Sequence, residues 1–225
     1  VYPSMIKVII YKEPVLNVIS DRINFRRNLR PEDKYLPSYS SLRRSKVAIK
    51  DIIYSNNFKY FCTFTFDPKK HDRYSFIHCK NVMLKWFRNQ KDKHSPELKY
   101  ICVPEYHKDG AIHFHALLAN FNGRMKDSGH KTGQGIVIYN LTGFRAGFST
   151  ASPLDENLDA ISAYISKYVT KSLISQFNRK RYFCSRNLSR PVKIRNSKLF
   201  QNTPPLFRTR IADFDNMQIY HLHKF

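Results

Sequence analysis

The sequence predicts an α+β fold: a central antiparallel sheet with helices packed on it. Three observations carry this expectation. Tyr60 to Pro68, YFCTFTFDP, is rich in aromatic and β-branched residues and reads as a buried strand. Tyr100 to Phe121 reads as a hairpin, with two apolar runs on either side of Lys108-Asp109-Gly110. Stretches with apolar residues at helical spacing lie before, between and after these strands. With 225 residues, 42% hydrophobic and 14% aromatic, the chain can bury a real core and is not disordered.

The elements follow in order. Residues 1–37 open with an apolar piece, Val1 to Ile10, suited to an edge strand, and continue as a basic arm carrying Arg22, Arg26, Arg27 and Arg30. Ser40 or Ser41 caps a helix to about Tyr54, with Leu42, Ile49, Ile52 and Ile53 on its apolar side, and Asn56-Asn57 stops it. Asp67-Pro68 ends the first buried strand, since proline removes a ladder donor. A second helix follows Asp72, from roughly Tyr74 to Lys91, with Phe76, Cys79, Met83, Trp86 and Phe87 on one side. After the hairpin, Asn122 to Gly135 is polar and reads as a loop, and Ile136–Leu141 and Gly147–Ala151 read as strands. Asp155 or Asn157 starts a helix through about Ser172, striped by Leu158, Ile161, Ile165, Val169 and Leu173. The division expected is an arm at 1–37, one domain at 38–200, and an extension at 201–225 of no clear type that can pack on the same domain.

Charge limits the partners. Lys and Arg number 39 against 17 acids, a formal net charge of +22, which makes nucleic acid the first candidate partner. A basic subunit of a larger assembly is the alternative; a membrane location is disfavoured, because no apolar run is long enough to span and no stretch reads as a signal peptide. Cys62, Cys79, Cys102 and Cys184 form no CxxC pair, and the first three sit in apolar segments. A reduced, cytoplasmic protein without zinc fingers or disulfides is expected.

Two constellations carry chemistry. If Lys108 to Gly110 form a three-residue loop with Gly110 at positive φ, His107 pairs with Ala111 and Glu105 lies across from His113. His115, two residues beyond, leaves the same face. One face of one hairpin then carries a carboxylate and two histidines, the outline of a metal site. His221-Leu222-His223 repeats the spacing with no carboxylate strand evident opposite it. On the last helix, Tyr164 and Tyr168 are four apart and share a face that Lys171 extends, with Lys167 adjacent. A phenol is a poor nucleophile at its usual pKa, and a nearby ammonium or metal would favour attack by its anion. Taken alone, each pattern is also consistent with satisfied polar positions on half-buried elements.

Together they resemble the HUH endonucleases, and among them the rolling-circle replication initiators (Rep proteins) of small phages and plasmids. YFCTFTFDP resembles the family's first motif, His113-Phe114-His115 its metal motif, and YISKYVTK at Tyr164 to Lys171 its nucleophile motif. RYFCSRNLSRP, Arg181 to Pro191, is similar to a basic segment that follows in phage-type members. The resemblance implies a five-stranded antiparallel sheet with flanking helices, related to the ferredoxin-like arrangement. It implies that His113 and His115 hold Mg2+ or Mn2+ with Glu105 as third ligand, His107 being the competitor. An N/O donor set suits these ions better than a structural zinc.

The implied activity is nicking of single-stranded origin DNA by Tyr164, leaving a 5′-phosphotyrosine and a free 3′-OH for a host polymerase, with a host helicase as a further partner. Tyr168 would perform the second strand transfer, although spacing does not decide which tyrosine attacks first, and Lys167 would stabilise charge or orient the phenol. Lys171, Arg179, Lys180, Arg181 and Arg186 would grip DNA. No GxxxxGK[ST] loop is present, so no helicase is fused within this sequence. Relaxases and HUH transposases share the chemistry, but the order of HUH motif before a two-tyrosine helix favours a Rep protein. The rival of another class is a non-catalytic basic nucleic-acid-binding protein.

Overall fold

A computed structural model describes residues 5–11, 39–155, 157–171, 181–192, 201, 208–214 and 217–223. In chain order the elements are β1 (Met5–Tyr11), α1 (Tyr39–Ser55), β2 (Tyr60–Phe66), α2 (Phe76–Lys93), β3 (Lys99–Tyr106), β4 (Ile112–Ala119), β5 (Met125–Lys131), β6 (Val137–Leu141), β7 (Gly147–Pro153), α3 (Leu158–Lys171), β8 (Phe183–Cys184), β9 (Arg208–Phe214) and β10 (Met217–His223). The chain divides into two compact units, Pro37–Ser189 and one composed of Val1–Leu36 with Arg190–Phe225.

The Pro37–Ser189 unit is α+β. Its antiparallel sheet has strand order β5-β6-β7-β2-β4-β3-β8. The sheet therefore has seven strands where five were expected. β5 is one of the strands not foreseen, and it occupies the stretch read as a polar loop. Its sequence, MKDSGHK, shows no apolar alternation because it is an edge strand exposed along most of its length, so the period-two signal is missing. A bulge between Asp127 and His130 further breaks its pairing with β6. The two-residue β8 forms the opposite edge, too short to be read from its own residues.

β2 separates the two faces of this sheet by strict alternation. Cys62, Phe64 and Phe66 are buried, and Phe61, Thr63 and Thr65 between them are only partly covered. The buried set packs with Ile112, Phe114, Ala116 and Leu118 of β4 against Phe76, Cys79, Met83, Trp86 and Phe87 of α2. Phe64 meets Trp86 edge-on with ring centroids 4.9 Å apart. Each fully buried phenyl of this kind contributes roughly 2 kcal/mol relative to exposure. Ser75 caps α2 by accepting from the His78 N–H at 3.4 Å. On the opposite face α3 packs on β3, and α1 packs on α3 through a side that buries Ile49, Ile52 and Ile53. Asn157 caps α3 by accepting from the Ala160 N–H at 3.0 Å.

Burial pushes the thiols of Cys62 and Cys102 well above their ordinary pKa, and none of the four cysteines is in a disulfide. Pro104 stands inside β3 beyond the two residues that β8 pairs, where β3 has an open edge and loses no ladder bond. Among the described residues no helix is long and apolar enough to cross a membrane.

The second unit holds a three-stranded antiparallel sheet of order β1-β10-β9. Val1 to Ile10 reads as an edge strand, and β1 is at the edge of this sheet. The His221-Leu222-His223 repeat lies on β10, with His221 across from Lys7 and Leu222 buried. The arm's arginines 22, 26, 27 and 30 lie outside the described residues.

β7 begins in close contact with the end of β2. A Cβ on Gly147 would stand 2.1 Å from the Thr65 carbonyl oxygen and 2.7 Å from the Asp67 nitrogen, both backbone atoms. Gly147→Ala is expected to cost on the order of 3 kcal/mol, read from the urea midpoint. Gly133→Ala, where a Cβ would meet nothing within 4 Å, is the neutral control. Equal midpoints for the two variants would refute the close-approach argument.

Candidate active site

The hairpin forms in the expected register. Gly110 has φ of 84°, the Gly110 N–H donates to the His107 carbonyl, and the His107 N–H donates to the Ala111 carbonyl, both at 2.9 Å. Glu105 pairs with His113 and Val103 with His115. β2 joins from the other side, placing Thr65 across from His113 and Thr63 across from His115. Two cross-strand rows result, Thr65–His113–Glu105 and Thr63–His115–Val103, on the face away from α2.

Each threonine holds a histidine. Thr63 Oγ1 lies 3.2 Å from His115 Nδ1, and Thr65 Oγ1 lies 3.0 Å from His113 Nδ1. With Nδ1 engaged, Nε2 is the ring atom each histidine has left for another partner. His115 Nε2 meets Glu105 Oε2 at 2.6 Å, a contact almost shielded from solvent. Burial, together with the neighbouring His107 and His115, lowers the His113 pKa to about 4, against the pull of Glu105. The ring is therefore neutral, as a ligand must be. Thr63 and Thr65 were not singled out by sequence reasoning. Their signal is the alternation in Cys62-Thr63-Phe64-Thr65-Phe66, which acquires meaning only once β2 is paired with β4.

α3 covers this cluster. Tyr168 stacks on His115 with ring centroids 3.7 Å apart and planes 24° apart. Its hydroxyl donates to the Tyr164 hydroxyl at 2.9 Å. Phe61, on the same face of β2, packs edge-on against Tyr164 at 4.9 Å and stacks near His115 at 5.5 Å, so it wedges between helix and strand. Tyr168 is buried, and burial with the Tyr164 contact raises its pKa well above the ordinary phenol value. Tyr164 is 49% exposed.

His107 is exposed and stacks on His113 with centroids 3.7 Å apart, whereas Glu105 meets a histidine Nε2. Lys167 and Arg186 are exposed, and Arg181 is half-buried, its pKa lowered by desolvation. The side chain of Lys171 and all of Arg179 and Lys180 lie outside the described residues.

Among the described residues no three His, Cys, Asp or Glu side chains are grouped closely enough to hold a metal ion. One carboxylate and two imidazoles nonetheless share one face, each imidazole with Nδ1 already taken by a threonine, a mixed N/O set of the kind that divalent ions accept. Glu105 and His115 meet directly, so ligation of one ion by both would displace the proton they share as well as widen their contact.

No curated protein and no solved structure matches the chain. The family model for replication-associated protein ORF2/gene 2 protein matches residues 59–173. That match covers just over half of the chain, from the residue before β2 to two residues past α3, and so contains both histidine-bearing rows and the tyrosine helix. The chain belongs to this family of replication-associated proteins.

Proposed function

We propose that this replication-associated protein opens and rejoins single-stranded DNA at an origin by tyrosine transesterification, the chemistry of the HUH initiators. One observation carries the reading: the Tyr168–Tyr164 pair leans on His115, which is bound to Glu105. A nucleophile pair and a divalent-ion donor set thus share one face of the sheet, a juxtaposition that a merely basic binding protein does not need. An ion held by His113, His115 and Glu105 would supply Lewis-acid polarisation of the scissile phosphate.

The chain's own groups divide the remaining work. Tyr164 is the accessible phenol, and Tyr168 remains protonated and donates to its oxygen. A hydrogen bond donated to an oxygen favours the anionic form of that oxygen. The Tyr164 oxygen forms a bond to phosphorus, the P–O3′ bond breaks, and the phenol's proton ends on the released 3′-oxygen. A 5′-phosphotyrosine and a free 3′-OH result, and the 3′-OH can prime a host polymerase. Tyr168 makes the second cut by the same exchange, its oxygen bonding to phosphorus as a P–O3′ bond breaks and its proton passing to the released 3′-oxygen. That 3′-OH then attacks the Tyr164 phosphotyrosine, which frees the phenol and rejoins the strand. Thr63 and Thr65 hold His115 and His113 in the orientation that presents Nε2.

The direct test is a covalent adduct. Labelled single-stranded origin DNA with Mn2+ is expected to give an SDS-resistant complex that EDTA, Tyr164→Phe and His113→Ala each abolish. An adduct that survives both substitutions would refute the proposal, as would no adduct on any origin-bearing strand.

Thr63→Val and Thr65→Val keep side-chain shape and remove the hydroxyl. Each is expected to weaken Mn2+ binding by about tenfold or more, measured by titration calorimetry, while Thr→Ser at either position restores it. Unchanged affinity in both valine variants would show that the threonines do not orient the ligands.

A further inference from the structure

Phe148 is an exposed aromatic residue attached to the site by strand register. On β7 it pairs with Thr65 of β2, Thr65 pairs with His113 of β4, and His113 pairs with Glu105 of β3. The four residues form one cross-strand row, three of them already in the site. The fourth is a phenyl ring that is 58% exposed. Along β7 its neighbours on that face are Thr150 and Ser152, so no apolar surface on its own strand explains it. Scattered exposed hydrophobic residues are common on proteins and need no reason. This one stands two strand spacings, about 10 Å, from His113.

Two exposed arginines lie in chain segments at the same end of the sheet. The Thr142 N–H donates to the Arg124 carbonyl at 3.2 Å, which brings the approach to β5 beside the turn between β6 and β7. That turn carries Arg145, three residues before Phe148. Arg124 and Arg145 are both exposed. A flat ring for a base beside guanidinium groups for phosphates is the combination that binds single-stranded nucleic acid without reading its sequence. A protein partner would be served by a wider apolar patch, which Thr150 and Ser152 do not provide.

We propose that Phe148 is a base-stacking platform for single-stranded DNA at the edge of the active site. The strand crosses from the His113–Glu105 row over β2 to β7, stacks one base on Phe148, and sets its neighbouring phosphates against Arg124 and Arg145. This assignment rests on the proposed function. It adds a binding subsite on the β7 side of the metal cluster, away from the basic segment that follows α3.

The test separates binding from chemistry. In EDTA, anisotropy of fluorescein-labelled oligothymidine is compared for the wild-type chain, Phe148→Leu and Phe148→Trp. Leucine keeps the apolar bulk but has no ring face, so about tenfold weaker binding is expected, with affinity retained or improved in the tryptophan variant. In a parallel measurement, 2-aminopurine scanned through the oligonucleotide is expected to show a quenched position that Phe148→Leu relieves. Wild-type binding with an unchanged affinity and unchanged quenching in Phe148→Leu overturns the platform alone. Failure of the wild-type chain to bind single-stranded DNA overturns the platform and the proposed function together.

Discussion

The antiparallel pairing of β2 with β4 is the constraint on which the rest depends. It aligns Thr63 with His115 and Thr65 with His113, and it aligns Phe64 with Phe114. Because strand side chains alternate with period two, the same register that builds the polar rows also builds the aromatic core against α2. A slip of one residue would turn the threonines and histidines into that core and expose the phenylalanines. Burial of Cys62, Phe64 and Phe66 therefore fixes the threonine–histidine contacts on the other face. The site's geometry is held by hydrophobic energy that the site itself does not contain.

The second consequence of this pairing is electrostatic. His113 and His115 lie on one strand with intermediate and low exposure, in a chain of net charge +22. Two imidazolium ions at this spacing would repel each other and the surrounding cations. Desolvation and neighbouring rings keep His113 neutral, and Glu105 sits against His115. Glu105 thus places a carboxyl group between histidines in a strongly positive protein.

Much of this was legible in the sequence, for reasons that can be located. The hairpin register follows from Gly110 at the one loop position that needs positive φ, and from there Glu105 and His113 are neighbours by counting. The helices were legible from their apolar stripes, with ends displaced by a residue or two at Ser75 and Lys93. β5 was not, because its residues face water and carry no periodicity. The roles of Thr63, Thr65 and Phe148 were not, because they arise from pairings between strands some fifty to eighty residues apart. Nor was the β1–β10 sheet, whose strands are separated by nearly the whole chain.

That last pairing bears on the order in which the protein is made. Val8 is matched with Tyr220, so β1 emerges from the ribosome about 200 residues before its partner exists. The Pro37–Ser189 unit, by contrast, is one continuous segment whose strands find partners within it. Synthesis therefore completes the larger unit first and leaves MIKVIIY waiting as an unsatisfied apolar strand. A waiting edge of that composition is open to pairing with other nascent chains on the same message.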